Sequence, residues 1–384
     1  MSGLSVCHLG KYYPPAPGGI ETHTRTLARA QAELGASVRV VCVNHERGPT
    51  VHEHDGPVAI TRVERKASGL KLDFCPGLVR TLRKIRADVL HVQAPNPTMI
   101  LALLAAQPSI PLVVTYQSDV IHQKLRAILF RPLERRFYAN VAAILPTSPP
   151  YATGSDFFRS YTDRLHVVPM GIDLAPYLRC TDAESTRIRA EHGRGGPLWL
   201  SVGRAVYYKG FLNAIRALKH IEGRLILIGD GPEIPALRAE AVRLGVLDRI
   251  DFTGTLPYLK IIPYYRAADA FWFPSNARSE AFGLVQVEAM AAGCPVINTD
   301  IPGSGVPWVC GPDGSGLTVP MNDPEALAQA ARRVLYEPGL RERLVSAARH
   351  RAETEFEHHT MARRTLEIYR SVLIGSPTLE QVGP

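Results

Sequence analysis

The sequence predicts an α/β protein of two domains, each an open, mostly parallel sheet covered by helices. Three observations lead there. Short β-rich runs alternate with helical patterns along almost the whole chain, the signature of strands joined by helical crossovers. The chain has 384 residues, long for one core and suited to two of ordinary size. The alternation also stops at a polar, irregular stretch from about 174 to 196 ("LAPYLRCTDAESTRIRAEHGRGG") and then starts again. The expected boundaries are 1–173 and 174–355, with 356–384 a helical tail.

In the first half the strands read "LSVCHL" (4–9), "SVRVVCV" (37–43), "ADVLHV" (87–92), "PLVVTY" (111–116) and "VAAILPT" (141–147), and "RLHVVPMGID" (164–173) closes it. The second set reads "PLWLSVG", "RLILIGDG", "RIDFTG", "AFWFPS" and "CPVIN". In such sheets ligands bind at the carboxyl ends of the strands, and two facing domains leave a cleft.

Composition narrows the class. Hydrophobic residues make up 46% and charged residues 21%, as in a folded water-soluble protein. The longest apolar run, "MILALLAA" (99–106), falls far short of the roughly 20 residues a membrane-spanning helix needs. The first residues show neither a basic n-region nor a cleavable apolar segment. Cysteines at 7, 42, 75, 180, 294 and 310 include no CxxC pair, which predicts buried thiols in a reducing compartment and no zinc site. The expected location is the cytoplasm.

The formal charge of +8 favours an anionic partner. Arg62, Arg65, Lys66, Lys71, Arg80, Arg83, Lys84 and Arg86 form one basic group; "QKLRAILFRPLERRFY" (123–138) is a second, with apolar residues at helical spacing. Such a helix fits peripheral contact with an anionic membrane, and a solvated helix face is the ordinary alternative. No nucleic-acid-binding motif is present, so nucleic acid is not an expected partner.

The loops after the strands carry the chemistry. "PPAPGGIETHTRTLARA" (14–30) is a turn opening into a helix, where Gly18 and Gly19 permit close backbone approach and the helix start offers N–H groups to an anion. Neither GxGxxG nor a Walker motif occurs. "SVGRAVYYKG" (201–210) places Arg204 and Lys209 just beyond a strand, suited to a diphosphate. In "SEAFGLVQVEAMAAGCPVI" (279–297) Glu280 precedes a helix and Glu288 lies roughly 7–8 Å along its axis. A nucleotide-sugar has a matching layout: phosphates at the helix start, a ribose diol needing one acceptor and sugar hydroxyls needing another. Glu288 suits the ribose and Glu280 the sugar. The alternative is a helix-dipole charge and a solvated face, but a glutamate flanked by Val287, Ala289 and Met290 should be buried and need a partner.

Taken in order, "GGIETH", "PMGID", "VGRAVYYKG", "LIGDGPE", "SEAFGLVQVEAMAAGCPVI" with its E-x7-E spacing, and "GLTVP" resemble the retaining glycosyltransferases of glycosyltransferase family 4, over nearly the full length. The likeness is to bacterial mannosyl and hexosyl transferases of surface polysaccharide synthesis. It implies the GT-B fold, two Rossmann-like domains facing across a cleft, with the C-terminal helix crossing back to the first. It implies an acceptor-binding first domain and a donor-binding second. Arg204 and Lys209 would hold the donor diphosphate, Glu280 the sugar hydroxyls and Glu288 the ribose. The backbone from Phe282 through Gly283 to Leu284 would meet phosphate, Gly18 and Gly19 would close on it from the first domain, and the loops at Gly229–Gly231 and Thr255–Leu256 would border the base. Glu21, His23, Gln117 and Asp119 would lie near the transferred sugar or the acceptor. One position departs from the pattern: "TYQSDVIHQK" has Gln117 where relatives carry a histidine, and Gln cannot carry a proton. His122 is a candidate to compensate.

The resemblance implies transfer of a hexose, from GDP-mannose or a related GDP-sugar with UDP-sugars second, to a hydroxyl of a glycan or lipid-linked acceptor. Front-face substitution would let the leaving phosphate oxygen take the acceptor's proton. No paired-carboxylate arrangement of the retaining-hydrolase kind is evident, and no metal or cofactor is expected. The rivals are another enzyme of the same fold (an epimerase, disaccharide synthase or phosphorylase), a dinucleotide dehydrogenase, whose glycine fingerprint is absent, and a non-catalytic nucleotide-sugar binding protein.

Overall fold

The computed structural model describes residues 3–69, 72–118, 124–311 and 313–375, with side chains from 131 onward in the helix that begins at 124. The chain divides into two compact units, residues 1–171 together with the segment from 358, and residues 172–357.

The first unit runs β1 (Ser5–Leu9), α1 (Gly19–Glu33), β2 (Ser37–Val43), β3 (Val51–Asp55), β4 (Val58–Val63), β5 (Ala67–Gly69), β6 (Leu72–Phe74), α2 (Pro76–Lys84), β7 (Val89–Ala94), α3 (Pro97–Ala106), β8 (Leu112–Tyr116), α4 (Lys124–Tyr138), β9 (Val141–Pro146) and α5 (Pro149–Gly154). Its seven-stranded sheet has the order β3-β4-β2-β1-β7-β8-β9. Every pair is parallel except β3 with β4, an edge hairpin absent from the expected parallel set. β5 and β6 form a separate small hairpin. The "RLHVVPMGID" segment is not a strand of the sheet: Leu165 makes a single bridge to Ile144.

The second unit runs α6 (Ala175–Arg179), α7 (Asp182–Gly193), β10 (Leu198–Val202), α8 (Phe211–Ala217), β11 (Arg224–Ile228), α9 (Ile234–Leu244), β12 (Ile250–Gly254), α10 (Tyr258–Ala267), β13 (Ala270–Phe273), α11 (Leu284–Ala292), β14 (Val296–Asp300), α12 (Val306–Val309), β15 (Leu317–Pro320), α13 (Pro324–Tyr336) and α14 (Leu340–Glu355). Its six parallel strands lie in the order β12-β11-β10-β13-β14-β15. The stretch expected to be irregular at 174–196 is largely helical, as α6 and α7.

The central parallel strands β7, β10 and β11 are buried throughout, because helices cover both faces of a parallel sheet. In the second unit Trp199 stacks on Trp272 at 5.0 Å in a core reaching from α8 to α14. In the first unit the last helix, α15 (His358–Ile374), returns: Met361, Ala362, Leu366 and Tyr369 pack with Leu27 and Ala30 of α1 and with Val6, Val89 and Val113 of the sheet. Burying these apolar side chains stabilises by about 1.5–3 kcal/mol for each large one, enough to hold a helix about 190 residues beyond the rest of its unit.

Two expectations about charge change. Arg62 is 5% exposed; its guanidinium donates to Glu53 and to the carbonyls of Tyr13 and Pro14. Arg65 lies 3.6 Å from the buried Asp73. Both serve the interior instead of a basic surface. Arg80, Arg83, Lys84 and Arg86 remain exposed, as do Arg131, Arg135 and Arg136 of α4. Among the described residues, no helix is long and apolar enough to cross a membrane.

Candidate active site

The order of the second sheet reverses between β10 and β13, the switch point at which open α/β sheets bind ligands beyond their carboxyl ends. Arg204 and Lys209 follow β10; Glu280 and the start of α11 follow β13. The remaining second-unit loops in question, Gly229–Gly231 after β11 and Thr255–Leu256 after β12, complete the same row.

Lys209 and Glu280 form one ion pair. Nζ lies 2.6 Å from Oε2, with side chains only 12% and 11% accessible. The ammonium also sits 5.0 Å from the Phe273 ring centre. Ser275 Oγ donates weakly to the same oxygen at 3.5 Å. The backbone of Glu280 is braced from the 298–309 segment: Ser304 Oγ donates to the Glu280 carbonyl at 2.5 Å, and the Gly305 N–H donates to Ala281 at 2.9 Å. Arg204 is exposed and its side chain has no partner among the described residues. Two residues expected on different parts of a donor therefore neutralise one another, while a second cation stays open to an anion.

α11 begins at Gly283, with φ +78°, and no side chain caps it. Its first-turn N–H groups lack intrahelical acceptors and carry the positive end of the helix dipole. A Cβ on Gly283 would lie 2.6 Å from the Phe273 ring, so glycine is needed for both its φ and its space. Phe282 is buried with its ring edge-on to Phe356, so only its backbone could face a ligand. Leu284 is half-buried.

Glu288, in the second turn of α11, is 8% exposed, which sets aside a solvated face. Oε2 accepts the Tyr265 hydroxyl at 2.9 Å. Burial pushes its carboxyl up to about 7, opposed by the Tyr265 hydrogen bond and by the charge of Lys209. Near neutral pH this group stands between an acceptor-only ion and an acid that accepts more weakly and also donates.

Gly229 and Gly231 have a structural reason of their own. A Cβ on Gly229 would lie 1.9 Å from the Gly203 carbonyl oxygen, and one on Gly231 would lie 2.4 Å from that of Ala205. The loops after β10 and β11 are thus laced together, with the Ala205 N–H donating to Asp230 at 2.9 Å. Thr255 is exposed and Leu256 half-buried.

In the first unit Gly18 caps α1 with φ +154°. A Cβ there would meet the Glu21 carboxylate at 2.0 Å, so the amino end offered to an anion already has an acidic side chain folded against it. Gly19 has open space. His23 is buried, 3% exposed, and neither ring nitrogen has a hydrogen bond among the described residues. Gln117 is also buried; its Nε2 donates to Gln93 Oε1 at 2.8 Å. Asp119 and His122 lie outside the described residues.

Sequence reasoning missed the tyrosines behind Glu288 and a buried polar network in the first unit. There His8 Nε2 meets Gln31 Oε1 at 2.7 Å, Gln31 donates to Tyr369, and the Tyr369 hydroxyl meets His91 Nδ1 at 2.5 Å. No motif joins residues 278 positions apart. One group among the described residues could hold a metal ion, Glu33 with His358 and His359; it belongs to the first unit.

Residues 18–171 match the glycosyl transferase 4-like domain family, and residues 183–351 match glycosyl transferases group 1. The chain is 29% identical over 381 residues to the O-antigen chain mannosyltransferase C of Escherichia coli, covering 96% of this chain and 99% of that protein. It is 32% identical over 338 residues to the D-rhamnosyltransferase WbpZ of Pseudomonas aeruginosa, covering 86% of each. Among solved structures, the sucrose-phosphate synthase of Thermosynechococcus elongatus shares the fold with a TM-score of 0.79 at 23% identity, over 97% of this chain and all of that one.

Proposed function

The chain belongs to the group 1, family-4-like glycosyltransferases, and we propose that it transfers a hexose of manno configuration from a GDP-sugar to a hydroxyl of a growing surface polysaccharide, with retention. The observation that carries this reading is the Lys209–Glu280 pair set against the uncapped start of α11, with Glu288 one turn further along. The donor's diphosphate would draw Lys209 and Arg204, and the α11 N–H groups would complete its cradle. Glu280, freed from Lys209, would accept the sugar hydroxyls, and Glu288 the ribose diol. As the anomeric carbon–phosphate bond breaks, the negative charge would build on an oxygen already faced by cations and N–H dipoles. That preorganised charge is worth several kcal/mol of barrier for a key contact. The same phosphate oxygen would take the proton of the incoming hydroxyl, so no protein base and no metal are required.

The choice of sugar is supported by the relatives named for mannose and D-rhamnose, which share the manno configuration. GDP is the favoured base and UDP the second. For the acceptor, the first unit has a groove of about 580 Å³ lined by Leu72, Phe74, Leu78, Val79, Leu101 and Ala102. Phe74 is 64% exposed, and Arg80, Arg83, Lys84 and Arg86 are exposed nearby in sequence. Apolar and cationic groups together suit an acceptor on an anionic lipid carrier and peripheral contact with the inner face of the plasma membrane.

The test is a thermal-shift panel with GDP, UDP, ADP, GDP-mannose, UDP-glucose and NAD. A nucleotide at 100 times its dissociation constant stabilises by about 2.7 kcal/mol. GDP and GDP-mannose should raise the melting temperature, and Glu288→Ala should abolish the rise. A response to NAD alone, or to none of the six, would overturn the donor assignment.

A further inference from the structure

Glu288 is held on one side only. Oε2 takes the Tyr265 hydroxyl, whereas Oε1 has no hydrogen-bond partner among the described residues, and the residue keeps 8% exposure. Tyr265 is fully buried on α10, its ring edge-on to Phe271 at 5.4 Å, so it cannot swing away without opening the core. Beside it Tyr258 of α10 and Tyr177 of α6 share a hydrogen bond of 2.7 Å, and the ionisation of both hydroxyls is opposed by the Glu288 charge. The other charge acting on the carboxylate is Lys209, from the loop after β10. α14 reaches the far end of α11 with Arg349, which lies against Gly293. Asp173 acts on Tyr258, not on Glu288.

We propose that Tyr265 is a positioning residue for the donor nucleotide: its buried hydroxyl fixes one oxygen of Glu288 and presents the other to the ribose diol. This rests on the reading that Glu288 takes the ribose. An ionised carboxylate is acceptor-only and accepts the diol's hydroxyls in strong, charge-assisted hydrogen bonds; protonated, it accepts more weakly and carries a competing donor. Burial works against that ion, and the Tyr265 hydrogen bond works for it. Losing the hydroxyl therefore both frees the carboxylate to rotate and moves its protonation to higher pH. Phenylalanine fills the same space, so the packing against Phe271 survives the change.

The experiment measures the affinity of wild type and Tyr265→Phe for GDP and for 2′,3′-dideoxy-GDP between pH 6 and 9, using the UDP pair if the panel selects uracil. Wild type should prefer the diol at least about tenfold, as expected when a charged acceptor loses its hydroxyl partners. Tyr265→Phe should lose about tenfold for GDP at pH 7, regain most of it at pH 9, and bind the dideoxy analogue within about twofold of wild type. Equal losses for both nucleotides at every pH would mean a purely structural tyrosine and would overturn the proposal. So would unchanged GDP binding. A wild type that binds the two nucleotides alike would instead overturn the ribose reading of Glu288, and the proposal with it.

Discussion

Lys209→Ala should lower the rate of sugar transfer by about 10²–10³-fold, the usual cost of removing one preorganised contact from a developing oxyanion. The loss should fall on kcat more than on the donor KM, because in the proposed role the lysine would meet the leaving phosphate most strongly as the bond breaks. Its partner makes the substitution costly for folding as well. Glu280 would be left 11% accessible with only the 3.5 Å Ser275 contact among the described residues, and stripping one member from a buried pair destabilises by about 3–5 kcal/mol. Turnover kinetics beside thermal unfolding separate the two effects. Lys209→Ala with Glu280→Gln should recover most of the stability, since it removes the orphaned charge, and none of the rate. A single variant that folds and turns over within about threefold of wild type would remove Lys209 from the site.

Acid should unfold the first unit early. His8, His23 and His91 are fully buried together on β1, α1 and β7. Burial pulls His8 down to about 4 and His23 to about 3, and it drives His91 well below its ordinary value. Free histidine titrates near 6.5. Below that pH the unfolded chain gains three protons that the folded unit refuses. The stability is complete above about pH 6.5 and falls as the pH drops toward the folded values, by about 1.4 kcal/mol per pH unit for each ring and about 4 for three. Two pH units would exhaust a domain of ordinary stability. Glu288 acts in the opposite sense with one proton, because its folded value of about 7 exceeds the unfolded one, and it belongs to the second unit. Hydrogen exchange of the β1 and β7 amides at pH 7.5 and 5.5 reads the first unit alone. His23→Leu should flatten its pH slope by about a third, since neither ring nitrogen of His23 has a hydrogen bond to lose. Protection that is equal at the two pH values would contradict the buried-cluster account.

The parallel strands were legible because helices cover both sides of them, which leaves uninterrupted apolar runs such as "RLILI" and "AFWF". The β3 edge strand was not: "VHEHD" is almost wholly exposed, so neither alternation nor hydrophobicity marks it. α7 escaped for a related reason. Only Ser185, Ile188 and Gly193 of "DAESTRIRAEHG" are buried, too few to draw an apolar stripe. At the site, the spacing of Glu280 and Glu288 announced itself because both lie on one loop and helix. Tyr265 did not, because it reaches Glu288 from another helix, 23 residues earlier. The burial of His23 was not legible, because the alternation of α1 does not say that its fifth residue turns inward. Nor did the sequence show that Gly229 and Gly231 must be glycine for the carbonyls of Gly203 and Ala205 in the facing loop to approach them.

In the proposed mechanism, charges built into the second unit would drive transfer from the front face, without a nucleophile or a metal. The direct measurement is transfer from GDP-mannose to an octyl mannoside acceptor in excess EDTA, with the anomeric carbon of the new linkage read by NMR. An α-linked product, formed with stoichiometric GDP and unaffected by the chelator, is the predicted result. A β-linked product, or transfer that stops in EDTA and returns with a divalent cation, would contradict it.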